Sequence, residues 1–276
     1  LRDMAPFSVS LMLTDLISTF YMKLPQFFLG KLYPTATLGA FDQAVKLKDM
    51  PVTAATQSVQ SVTFPALSEV RGDAPKFAES YRQVVLITAY VMFPAMLGLS
   101  AVAHDLFALL LSEKWMPTVP CFEVVCLAGL FYPVGMICYN VLKVMSRGPL
   151  IVRLEVVKKL LMTVVFAVTI PHSVTAVVWG LVAIAFGEMA VNFLATRRFT
   201  RFTTRRFLRT LLPVALVSGT MYLLVRLTAC AIPGHLLLRL AAQLLVGAAA
   251  YVGLSVLFRL EAFGLLCDLM KKQAAR

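Results

Sequence analysis

The sequence predicts an all-α protein, a polytopic membrane helix bundle with about eight transmembrane helices. Three observations carry this prediction. Hydrophobic residues make up 59% of the 276 residues and charged residues only 14%, whereas soluble chains run near ~45–50% and ~25%. The mean hydropathy of +0.81 agrees. Long stretches, 83–104 and 160–187 among them, hold no formal charge. Finally, the basic residues gather at every second connection between the apolar stretches. In lipid each backbone amide must bond within its own segment or a closed barrel. No period-two alternation runs through the chain, so helices are predicted rather than strands.

The elements follow in order. Span one, 6–29, is apolar with a polar stripe, and span two, 51–68, is the most polar. Span three, 84–103, is free of charge, and span four, 117–142, opens on Pro117. Pro171-His172-Ser173 breaks the next apolar run into 150–170 and 174–196, because proline cannot continue a helix and the triplet favours a turn. The last two spans are 208–227 and 236–258. Residues 261–276 read as a short interfacial helix, with Phe263, Leu266 and Met270 on one side and Lys271 and Lys272 near its end.

Eight crossings put both ends on one side. That side receives 19 of the 26 lysines and arginines, the other side six, and Lys23 lies within span one. Positive residues stay cytoplasmic, so both ends are expected there. The arginine-rich stretch 197–209 accounts for much of the net charge of +12. It reads as an anchor on anionic lipids rather than as a nucleic-acid site. Five cysteines, odd in number and without CxxC spacing, exclude a disulfide scaffold. The chain begins Leu1-Arg2-Asp3 with no initiator methionine, which suggests a piece of a longer protein.

Charge inside hydrocarbon costs at least ~2.5 kcal/mol, so it normally faces protein or a wet cavity. At 100° per residue, Asp15, Thr19, Lys23 and Gln26 share one face of span one, and Thr53, Gln57, Gln60, Ser61 and Ser68 share one face of span two. Pro25 is expected to bend the first and Pro65 to interrupt the second. Together the stripes suggest one aqueous cavity, with Lys23 holding an anionic substrate group and Gln57 and Gln60 bonding sugar hydroxyls. The alternative pairs Lys23 with Asp15 and uses the amides as interhelical glue. Glu188 and Asn192, one turn apart in span six, are candidates for a coupling cation or proton, or for a structural pair. Glu155 precedes Lys159 by four residues, a favourable ion-pair spacing. These residues with Lys158 and Arg153 read as snorkelling at the membrane edge. Asn140, Lys143 and Arg147 share a face at the end of span four, where an anionic headgroup enters from the cytoplasmic leaflet. Ala176/Gly180, Ala183/Gly187 and Ala249/Gly253 read as close helix contacts.

Enzyme signatures are missing: there is no HExxH, GxSxG or phosphate-binding Gly-Lys-Ser loop. No cofactor, metal or catalytic residue is expected. The stretches LGKLYPTATLGAFDQAVKLKDMP, SVTFPALSEVRGD, FPAMLGLSAVAHDLFALLLSEKW and AGLFYPVGMICYNVLKVMSRG, in that order between 29 and 147, resemble the Wzx-like polysaccharide and lipopolysaccharide biosynthesis flippases. These form a branch of the MOP superfamily that also holds the MATE exporters. The resemblance implies the second six-helix lobe of a MOP/MATE-like fold over 1–200, an accessory transmembrane pair over 201–260 and a cytoplasmic tail over 261–276. It implies alternating-access transport of an undecaprenyl-pyrophosphate-linked oligosaccharide, with the first lobe as a missing partner. It also raises Lys23, taken as the one basic residue buried well inside a span of the lobe, as the pyrophosphate ligand. The rivals are a MATE-like exporter of small amphiphiles and, further off, a membrane glycan polymerase or acyltransferase using residues such as His104 or Asp105.

Overall fold

The computed structural model describes residues 5–111, 113–145, 148–200, 202–232 and 235–266. Eight long helices follow one another: α1 (Ala5–Leu32), α2 (Thr35–Glu69), α3 (Ala74–Leu110), α4 (Val119–Val144), α5 (Gly148–Thr169), α6 (Val174–Thr200), α7 (Thr204–Ala231) and α8 (Leu236–Leu257). A short 3-10 turn, Glu113–Thr118, leads into α4. No strand occurs among the described residues. At 1.5 Å per residue even α5 reaches ~33 Å, enough for a ~30 Å hydrocarbon layer.

Five helical segments are both long and apolar enough to cross a membrane: α3, α4 with its leading turn, α6, α7 and α8. The expected number was about eight. The other three helices have the length, but charge dilutes their apolarity: Asp15 and Lys23 in α1, Lys46, Lys48 and Asp49 in α2, and Glu155, Lys158 and Lys159 in α5. These three are neighbours, since α1 packs on both α2 and α5. The polar helices thus gather on one flank of the bundle.

Two boundaries differ from the sequence expectation. Helix α2 begins at Thr35, some four turns before the predicted start, because Phe41, Ala44 and Val52 recur at helical spacing and are buried. A hydropathy window is tuned to the membrane centre and misses such an amphipathic extension. Nor does Pro65 interrupt α2, which runs on to Glu69. The predicted turn at 171–173 is present, and the Ala176 amide donates to Ser173 Oγ at 3.0 Å to cap α6.

Helix α4 is central and packs on α2, α3 and α6. In a bilayer, helices associate through close packing and hydrogen bonds, since lipid tails are as apolar as leucine. Gly135 shows the closeness required: a Cβ there would lie 3.2 Å from the Met189 Cα on α6. The small-residue pairs predicted on α6 pack as expected, because a Cβ on Gly187 would meet Leu161 at 2.5 Å. Ala249 and Gly253 do not, as both are exposed and open space faces Gly253.

Helices α7 and α8 pack against α3 and each other. Tyr90 donates to Ser255 Oγ at 2.9 Å, and Tyr251 donates to the Tyr90 carbonyl at 2.6 Å. An aromatic knot of Phe193, Phe202 and Phe207, with Phe193 stacked on Phe207 at 4.0 Å, binds α6 to the start of α7. After α8 the chain turns at Arg259, whose φ of 47° is left-handed, and Phe263 and Leu266 pack back on the core. Met270, Lys271 and Lys272 of the expected interfacial tail lie outside the described residues.

Candidate functional site

The site is built on the polar flank. On α2, Thr53, Gln57, Ser61 and Ser68 are exposed and Gln60 is half-buried, all along the predicted stripe. Ser61 donates to the Ser58 carbonyl at 2.9 Å and Ser68 to the Phe64 carbonyl at 2.7 Å. These hydroxyls are satisfied by their own helix, which lets them face a partly apolar partner at little cost. The amide side chain of Gln57 stands in the open.

On α1, Thr19 and Lys23 are exposed and Gln26 is half-buried. The Asp15 side chain lies outside what the structure describes, so the Asp15–Lys23 pair is left open. Tyr21 turns the other way, toward α5, where its hydroxyl lies 3.2 Å from that of Thr163. Lys23 forms no ion pair with a described acid. Its neighbours on the same helix face, Leu16, Phe20 and Phe27, are exposed as well. This corrects the expectation that Lys23 is buried within the lobe. A helix with one packed face turns the remainder outward, and sequence periodicity does not say which face is packed.

Among the described residues, the buried basic side chains belong to α5. Lys158 is 6% exposed, and Lys159 and Glu155 are each 9% exposed. Lys158 is paired with Glu155, and Lys159 Nζ lies 3.8 Å from the other carboxylate oxygen. The ring of Tyr139 on α4 receives two cations, with Lys143 Nζ at 4.7 Å and Lys158 Nζ at 5.0 Å from its centroid. Lys159 also approaches the Tyr21 ring of α1, at 5.7 Å. Such contacts gain strength when desolvated. Glu188 on α6 lies within electrostatic range of Lys158, Lys159 and Glu155.

The snorkelling expectation for Lys158 and Lys159 is therefore replaced by a protein-enclosed cluster. Arg153 does remain exposed. The signal was present in the pattern. Val156, Leu160, Val164 and Val168 of α5 are more than half exposed, while its charges point inward, the inverse of a soluble amphipathic helix. Glu155 sits three and four residues before the two lysines, so all three share one face. Chemically, three lysines outnumber the two carboxylates near them, and a low-dielectric site with surplus positive charge favours an anionic group.

The other predicted residues fall as follows. Asn192 is buried and donates from Nδ2 to the Gly135 carbonyl at 3.2 Å, which ties α6 to α4 and supports the structural reading. Asn140 is buried, and its Nδ2 has no protein partner. Lys143 reaches the Tyr139 ring from the same helix, while Arg147 lies outside the described residues. Asp105 is almost fully buried and is held by Arg239 of α8, whose Nε donates to Oδ2 at 2.7 Å. His104 Nδ1 lies 3.3 Å from the other carboxylate oxygen of Asp105. Among the described residues no group of three or more His, Cys, Asp or Glu is placed to hold a metal ion.

These features define a multi-pass helical membrane protein with a polar exposed flank and an enclosed cluster of lysines beside it. Residues 1–120 match the family model described as polysaccharide biosynthesis protein. The chain is 27% identical over 175 residues to an uncharacterized membrane protein in the cps region of Klebsiella pneumoniae, covering 62% of this chain and 34% of that protein. It is 25% identical over 138 residues to the lipopolysaccharide biosynthesis protein WzxC of Escherichia coli K12, covering 49% of this chain and 28% of that one. The match to the teichuronic acid biosynthesis protein TuaB of Bacillus subtilis is 22% over 130 residues, covering 47% and 27%. The chain spans about a third or less of the length of these curated relatives. The resemblance to Wzx-like polysaccharide-biosynthesis flippases is borne out.

Proposed function

We propose that this chain is one flank of a water-accessible passage that carries a lipid-linked oligosaccharide, joined through undecaprenyl pyrophosphate, across a bacterial inner membrane. The observation that carries this reading is the run of exposed Thr53, Gln57, Ser61 and Ser68 on α2, with Lys23 exposed on the neighbouring α1. A face of Thr, Gln and Ser on a membrane-embedded helix needs water or protein opposite it. A companion lobe supplies the other wall, and alternating access follows from rocking of one lobe against the other. On this reading 1–200 forms the lobe, 201–260 the accessory pair and 261–276 a cytoplasmic tail, with both ends cytoplasmic.

Lys23 meets the pyrophosphate, Gln57 and Gln60 bond the sugar hydroxyls, and Asp15 sets the position of Lys23. Asn140, Lys143 and Arg147 lie on the route of the headgroup from the cytoplasmic leaflet. The Lys158–Lys159–Glu155 cluster supplies a fixed positive field behind α1, and Glu188 is the acid placed to respond to a coupling cation or proton. No step of this scheme makes or breaks a covalent bond, so the chain acts as a transporter rather than an enzyme.

The test uses cells that depend on this protein for surface polysaccharide, with the companion lobe present. Lys23→Ala lowers polysaccharide export at unchanged protein level, and the exposed position predicts a stability change within about 0.5 kcal/mol. Wild-type export by that variant removes Lys23 from the mechanism.

A further inference from the structure

We propose that the chain holds one anionic membrane lipid, by its phosphate, in a cleft between α3, α7 and the 261–266 segment. The cleft has a volume of about 430 Å³. Arg82, Arg206 and Arg209 line it together with Glu79 and Glu261, and Leu86, Pro213, Val214 and Leu260 form an apolar wall.

The two acids are already committed. Arg82 lies between them, with Nη2 at 2.6 Å from Glu79 Oε1 and Nη1 donating to Glu261 Oε2 at 2.9 Å. This fork fastens the segment after α8 to the start of α3 and closes one side of the cleft. Arg206 and Arg209 have no ion pair within 4 Å of a described residue, Arg206 being only within electrostatic range of Glu79, and both are exposed. They stand on the first turns of α7, where the helix dipole adds further positive potential. Two unpaired guanidinium groups on one cleft match a phosphate, which they can bind through paired N–H donors.

The apolar wall decides what kind of phosphate. Beyond the cleft wall of Leu86, Pro213, Val214 and Leu260, Leu208 and Leu212 of α7 add further apolar surface, 59% and 58% exposed. Hydrocarbon chains hanging from a phosphate held at Arg206 and Arg209 have an apolar surface to lie along, and free phosphate makes no use of it. The cleft residues hold three arginines against two glutamates, so an anionic headgroup is favoured over a zwitterionic one. The general attraction of arginines for an anionic leaflet falls off within a Debye length and selects no position. A cleft with a fixed arginine fork does select one. This proposal does not rest on the transport reading.

The test is native mass spectrometry of the purified full chain in detergent with added phosphatidylglycerol, phosphatidylcholine or inorganic phosphate. Wild type retains a single phosphatidylglycerol through activation that strips phosphatidylcholine. Arg206→Gln/Arg209→Gln weakens that retention by about tenfold or more, and Arg209→Gln alone by less. Arg197→Gln/Arg198→Gln, outside the cleft, leaves it within about twofold. Equal loss in both double variants reduces the effect to general surface charge and overturns the site. Protection by inorganic phosphate equal to that by phosphatidylglycerol overturns the lipid assignment. If the double variant fails to fold, undiminished retention by Arg209→Gln overturns the proposal. Since binding alone is measured, failure of the transport reading leaves this outcome untouched.

Discussion

Helices α2 and α7 each turn a long face outward, and the two faces have opposite chemistry. Along α2 the exposed residues include Thr53, Gln57, Ser58, Ser61 and Ser68, with Met50 and Phe64 exposed among them. Along α7 they are Leu208, Leu212, Leu216, Leu223 and Leu227. Exposure alone does not separate a lipid-facing surface from one that faces water or another lobe, and the chemistry of the exposed residues does. Leucine in hydrocarbon is favourable, whereas an open amide such as Gln57 has nothing there to bond. The α7 face suits acyl chains, and the α2 face is the one that the proposed passage assigns to water or a companion lobe. Helix α5 joins the two patterns, with valine and leucine outward like α7 and Glu155, Lys158 and Lys159 held inside the protein.

The largest expected effect probes that inner side of α5. Glu155→Gln leaves Lys158 and Lys159 buried without their shared carboxylate. Breaking a buried pair from one side costs about 3–5 kcal/mol, which thermal unfolding in detergent micelles measures. Glu155→Gln/Lys158→Met recovers part of the loss by removing one stranded charge. Were Glu155→Gln as stable as wild type, the lysines would have found water, and the enclosed cluster would have to be read as a wet surface like the one proposed for α2.

How far the sequence revealed this arrangement depends on which face a residue takes. Each of the eight helices contains its predicted apolar run, bar at most two residues at an end, and the Pro171-His172-Ser173 break is present, because span length and backbone satisfaction in lipid leave few options; α2 starts furthest before its run. The polar stripe of α2 was legible too, since a 100° periodicity fixes which side chains share a face. What periodicity cannot supply is the direction of that face. Lys23 was expected inside and is exposed, while Lys158 and Lys159 were expected at the edge and are buried. Burial is decided by the tertiary neighbours Tyr139, Tyr21 and Glu188, which come from three other helices. The early start of α2 was hidden for a related reason, because Phe41 and Ala44 pack on neighbours that hydropathy does not see.

A second prediction contrasts the two outward faces directly. Leu216 lies near the middle of α7 and is 62% exposed. Leu216→Asp places a carboxylate against acyl chains and costs about 3–4 kcal/mol on insertion scales. Gln57→Asp, equally placed on α2, costs less than about 1 kcal/mol if water or a polar partner faces it. Equal costs measured in bilayers would assign both faces to lipid and remove the passage.

The smallest effect concerns the joint between the polar flank and the apolar remainder, residues 70–73. Asp73 caps α3 by accepting from the Lys76 amide at 3.1 Å, and its other oxygen lies 3.1 Å from Lys76 Nζ. That backbone hydrogen bond, followed by the side-chain contact with Lys76, holds the carboxyl below its ordinary value of 3.8. A depressed value in the folded protein means that the ionised form is the one stabilised by folding. The cap's contribution is therefore fully present above pH 3.8 and fades as the pH falls through the lowered value. Hydrogen exchange at the Lys76 amide is the measurement: protection in wild type declines on acidification through that range. Asp73→Asn keeps an acceptor for the cap but removes the titration, so its protection stays flat. Asp73→Ala loses protection at every pH. If wild type and Asp73→Asn showed the same acid profile, the joint would be held by the packing of Phe77 and Tyr81 alone, and the orientation of α2 relative to α3 would owe nothing to this carboxylate.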